Sequence, residues 1–118
     1  MLCMEKVTNR FVDAIIYEGF KDNKIIFKSV DEDRSIDTDY PTWFEVVVDN
    51  GLIFLDESDG ELKRYIPESG DKGEYIRATP IKVGDVIIGG YITGSALVIP
   101  KERFDSDFVI VDVDYGNN

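Results

Sequence analysis

Any proton transfer, nucleophilic attack or metal binding by this chain must proceed without histidine, which it lacks, and with one cysteine, Cys3. That removes Ser-His-Asp and Cys-His catalysis, the usual general base and nearly every zinc-ligand pattern. Carboxylates, tyrosines and lysines remain, and their spacing builds no site. Asp105 and Asp107 lie in a short polar stretch where solvated acids are expected. Lys82 and Asp85 flank a turn centred on Gly84, which they are expected to stabilise. The acids of 31–39 (DEDRSIDTD) lack the regular oxygen spacing, central glycine and closing glutamate of a calcium loop. Gly89 and Gly90 sit inside an apolar strand rather than before a helix, so they do not form a phosphate-binding loop. The expectation is a protein that is not an enzyme, with no catalytic residue, cofactor or metal.

Those residues are carried by 118 positions, a length suited to one domain with a core of its own. Residues 1–10 read as a polar lead-in and 115–118 as a tail, both expected to fray. A lone cysteine permits no internal disulfide and fits a reducing, cytoplasmic compartment. No basic and apolar segment precedes it, so a free thiol is expected rather than a lipidated one. No apolar run approaches the ~18 residues of a membrane span. The net charge is −11, from 24 acids against 13 bases, which disfavours nucleic acid because phosphate binding needs a basic face. Acidity on this scale fits a soluble surface, or a mimic of DNA that occupies another protein's basic groove.

β-branched and aromatic runs closed by turn residues predict strands over 11–19, 24–30, 52–55, 61–66 and 74–79. Asp22 and Asn23 form a turn, 31–39 a charged loop, 56–60 a turn and 67–73 (PESGDKG) a second exposed loop. Residues 41–50 read two ways. Pro41 near a first turn, Glu45 early and Gly51 as stop suit a helix. Three consecutive valines before Asn50 and Gly51 suit a strand and hairpin, which propensity slightly favours. In either case Trp43 and Val47 are core candidates, while Tyr40 with part of Trp43 could form an exposed aromatic anchor.

The last third gives a turn at 82–85 and a buried run at Val86–Ile88. Gly89 and Gly90 then mark a bulge, or a close approach by another backbone or a ligand, with Tyr91 beside it as a pocket floor. A turn at Thr93 and Gly94 leads into a strand, 95–99, that Pro100 ends. A short helix over 101–108 places Phe104 and Phe108 four apart, facing the sheet, and a strand follows from Val109 to Val113.

This arrangement resembles a family of small tailed-phage proteins. Its elements are a Gly-Asp turn (Gly84, Asp85), an apolar strand (Val86–Gly90), a glycine hairpin (Gly94), a strand ending at proline (Val98, Ile99, Pro100), and a helix bearing Phe104 with Phe108 following. The opening strand Val12–Phe20, and the stretch from Pro41 through Trp43 to Phe54, are also similar to that family. The chain differs in lacking a basic residue at Gly89 and Gly90, and in having Phe108 where tyrosine is common. The resemblance favours the helix at 41–50 and implies a viral origin without any catalytic motif.

The expected fold is a single α+β domain, mainly antiparallel β, in a small curled sheet, barrel or sandwich with one or two short helices. Three functional classes follow. The first is a non-enzymatic phage accessory protein that binds and modulates a host protein, such as a defence component. Its candidate contacts are Asp31, Glu32, Asp33, Tyr40 and Trp43, and neutralising the three acids should weaken a salt-sensitive complex. The second is a small-ligand binding protein using Gly89, Gly90 and Tyr91, with pockets between subunits of a homo-oligomer. The third is a minor virion or assembly component.

Overall fold

β2 (Phe11–Lys21) organises the fold because its sequence is apolar on both sides. Val12, Ala14 and Ile16 are buried on one face, and Ile15 and Tyr17 on the other, so the strand must lie between two layers. The computed structural model describes residues 2–22, 24–30, 35–36, 41–70, 73–90 and 96–111, with 35–36, 66–70 and 73–77 described as backbone alone. Within them the chain forms two antiparallel sheets and two short helices, the α+β class expected from the sequence.

The larger sheet contains β1 (Leu2–Glu5), β2, β3 (Lys24–Ser29) and β4 (Ser35–Ile36). β1 and β3 share one side of β2, pairing with its first and second halves. On the other side runs β8 (Val86–Gly89), which carries β9 (Leu97–Ile99). β10 (Phe108–Ile110) pairs outside β1. The smaller sheet is β5 (Ile53–Asp56), β6 (Glu61–Gly70) and β7 (Gly73–Pro80). Each face of β2 has its own core. Ile15, Tyr17 and Ile87 meet helix α1 (Thr42–Asp49) through Phe44 and Val47, and the smaller sheet through Ile53 and Leu62. Val12, Ala14, Ile16, Val86 and Ile88 meet Phe104 of helix α2 (Lys101–Asp107) and Phe108.

The open choice at 41–50 resolves as a helix. Pro41 stands at the N-cap position, and Gly51, at φ 73°, closes the other end. The Gly51 and Leu52 amides donate to the Val48 and Val47 carbonyls, so residues that suit an Asn-Gly hairpin here make a helix stop. The rings of Phe104 and Phe108 stack at 5.2 Å in the second core, although Phe108 already belongs to β10.

Three expectations need correction. Residues 2–5 do not fray; Leu2 and Met4 alternate with buried Cys3, so β1 is held between β2 and β10. The loop at 31–39 contains β4, which pairs with Phe27 and Lys28 of β3. The loop at 67–73 is mostly ladder, since β6 runs to Gly70 and β7 starts at Gly73. Pro67 is tolerated there for a local reason. The Tyr65 amide donates towards Leu52 beside β5, and Pro67 two residues on faces the same side, beyond the end of β5. The amide that proline lacks has no partner strand to miss. The segments around Thr93–Gly94 and 115–118 lie outside the described residues.

Candidate functional site

α1 is fastened to the larger sheet at one polar point. Asp13 points from β2 to the α1 side, on the face that carries Ile15 and Tyr17. The indole Nε1–H of Trp43 donates to Asp13 Oδ2 at 2.6 Å. Its ring lies over Gly89, which is directly opposite Asp13 in the β2–β8 ladder. A Cβ added to Gly89 would stand 2.3 Å from the indole. The approach anticipated at Gly89 is thus made by a side chain of this chain. The ladder from Val86 to Gly89 keeps regular register, and the bulge falls instead in β2 between Tyr17 and Gly19, opposite Phe27 and Ile26. Gly90 turns the chain away at φ 107°, passing within 3.4 Å of Val12 Cα, a contact that a side chain would crowd.

Trp43 is therefore mainly a packing residue, half-buried and edge-on to Phe44. Tyr40, Tyr91, Asp31, Glu32 and Asp33 lie outside the described residues. Asp13 was not singled out by sequence reasoning. The available signal was a lone acid within an otherwise apolar strand, a position that requires a buried donor.

Beyond Trp43 the same face of the sheet loses its cover. Phe11 is two residues from Asp13 on that face, Met4 is directly opposite Phe11, and Val109 is directly opposite Met4. The three make an apolar row across β2, β1 and β10, with Phe11 57% exposed and Val109 39% exposed. Leu2, opposite Asp13, and Val111, whose amide donates to the Leu2 carbonyl, form a second row beside it. Among the described residues no strand pairs with β10 on its outer side. The row is therefore an open apolar strip ending at a sheet edge, a feature of surfaces that take a partner.

Most described acids already have local partners. Lys63 Nζ lies 2.6 Å from both Asp56 and Asp59. That contact, with bonds from Ser58, holds the Asp56 carboxyl down at about 2. Asp105 pairs with Lys101, and Asp107 with Arg103, along α2. Asp85 accepts the Lys82 amide at 2.9 Å and closes its turn, with Gly84 at φ 97°. Burial pushes the Cys3 thiol up to about 11, which removes it as a nucleophile near neutrality. A cleft of about 420 Å³ lies beside the β2 bulge, bounded by Ile16, Gly19, Ile26, Lys28, Val83 and Gly84. Lys28 at its rim lies 3.9 Å from Glu18. Among the described residues no three His, Cys, Asp or Glu side chains group as metal ligands, and no helix is long and apolar enough to cross a membrane.

No protein-family model, curated protein or solved structure matches this chain.

Proposed function

We propose that this chain is a small, non-enzymatic protein-binding domain that engages and modulates a basic partner protein. The observation that carries the reading is the row Phe11, Met4 and Val109, apolar, exposed and at a sheet edge. A monomer gains nothing from displaying such a strip, whereas a complex would bury it. The net charge of −11 supports a basic partner, since opposite charge speeds encounter and suppresses wrong pairings. The local pairing of Asp56, Asp59, Asp105 and Asp107 with lysine or arginine also supports binding over catalysis, because none of these acids is held ready for proton transfer. With the resemblance to tailed-phage proteins, the partner becomes a protein of the bacterial host, met in its cytoplasm, with defence components the favoured class. The acids Asp31, Glu32 and Asp33 add to the attraction in this reading.

The test is capture from a bacterial lysate at low salt, with Phe11→Ser/Val109→Ser as comparison. One host protein should be retained in stoichiometric amount, released by salt, and lost with the double variant. Equal capture by the double variant removes the strip from the reading. An empty lane at low salt removes the reading altogether.

A further inference from the structure

Two polar atoms on the inner face of the smaller sheet lack the partners that burial demands. Arg64 of β6 and Thr79 of β7 are directly opposite each other in register, so their side chains leave the sheet on one face. It is the face of Leu62, two residues from Arg64, which is buried in the core shared with the larger sheet. Arg64 Nε and Thr79 Oγ1 are both buried and neither has a hydrogen-bond partner. Among the described residues Arg64 has no ion pair within 4.0 Å. Asp85 acts on it only as a more distant charge, and burial lowers the guanidinium from its ordinary value. The arginine as a whole is only half-buried, so its outer end is reachable from solvent while its Nε–H points inward.

An arginine Nε–H and a threonine hydroxyl side by side form a donor pair awaiting one acceptor group. Guanidinium geometry matches a planar carboxylate, which can take Nε–H and an outer N–H together. The protein's charge narrows the choice. At −11 it repels multiply charged anions and acidic macromolecules far more than a single negative charge. We infer that Arg64 and Thr79 form a binding site for the carboxylate of a small organic acid, at a place distinct from the apolar strip. The ligand oxygens accept from Arg64 Nε–H and from the Thr79 hydroxyl, which together leave neither buried group unsatisfied.

Acetate is the probe. The Arg64 Nε–H resonance, assigned by its disappearance in Arg64→Lys, should move saturably with acetate, half-saturating in the millimolar range. Chloride at equal ionic strength should not reproduce the shift. Thr79→Val, close in shape, should fold normally and weaken acetate binding about fivefold, the effect of losing one neutral hydrogen bond. A non-saturating shift, or one that chloride reproduces, would show an ordinary screened arginine and overturn the site. A resonance protected from exchange yet indifferent to acetate would show a trapped water in place of a ligand, and would overturn it equally. The result is independent of the lysate capture, since the probe and residues differ.

Discussion

Asp13 with Trp43 and Arg64 with Thr79 are two polar pairings at the borders of one core, and they are solved in opposite ways. Asp13 leaves the larger sheet among apolar residues and finds the Trp43 indole N–H at 2.6 Å. Arg64 leaves the smaller sheet beside Leu62, and its Nε finds nothing, nor does Thr79 Oγ1 opposite it. The first contact uses a buried charge to fix where α1 sits, because only one placement of the indole both covers Gly89 and reaches the carboxylate. The second fixes nothing within the chain. A buried donor without an acceptor costs about 1–3 kcal/mol, so its retention points to something outside the chain. One pairing therefore belongs to the fold, and the other to a ligand.

The contrast breaks most readily at Gly89. Gly89→Ala should cost about 3 kcal/mol of stability, the upper range for overpacking, because the new methyl would meet the indole at 2.3 Å. Urea unfolding measures it. Adding Trp43→Leu to Gly89→Ala should restore part of the loss, a strong non-additivity expected of touching residues. If the two substitutions simply add, the indole does not rest on Gly89 and the account of α1 docking fails.

Next in size is Asp13→Leu. It strands the indole N–H against an apolar neighbour, and should cost about 2 kcal/mol, the range for a hydrogen bond to a charged group. Thr79→Val, by contrast, removes a buried hydroxyl that has no partner. Without ligand it should leave stability unchanged or raise it by up to ~1 kcal/mol. Opposite signs at the two sites are the core of the comparison. A loss at Thr79→Val equal to that at Asp13→Leu would mean that its hydroxyl is satisfied after all.

Sequence reasoning reached the elements more readily than these contacts, for physical reasons. Strands and turns are local. Val86, Ile87 and Ile88 form an apolar run whether or not the partner is known, and Gly84 marks its turn by itself. The helix at 42–49 was ambiguous because three valines favour a strand, and burial of Phe44 and Val47 against the larger sheet decided it. β1 was hidden because its pairing with β10 joins residues over 100 positions apart in the sequence. Gly89 was legible as a point of close approach, but the identity of what approaches it depends on an indole 46 positions earlier. Asp13 and Arg64 carried no local signal beyond being charges in apolar strands. That the two charges have opposite fates follows only from which strand lies beside each.

The smallest expected effect appears only in alkali, and it tests the neighbourhood of Asp13 from the other face of β2. Cys3 is fully buried on the α2 side, opposite Val12 in the ladder. Burial, with a smaller contribution from the charge of Asp13, raises its thiol from 9.0 to about 11. Between those values the unfolded chain has lost the proton that the folded chain keeps, so stability must fall as pH rises. The contribution is complete below pH 9, declines from about 9 to 11, and is absent above. Lysines and Tyr17 also titrate in alkali, so the measurement is a difference. The stability gap between the protein and Cys3→Ala should be constant from pH 7 to 8.5 and shrink as pH approaches 10.5. Native Cys3 should also resist thiol reagents at pH 8, reacting only as fast as the chain opens. A gap independent of pH would mean that the thiol titrates alike in both states. β1 would then not be sealed between β2 and β10, and the apolar strip that begins on β1 would lose its rigid base.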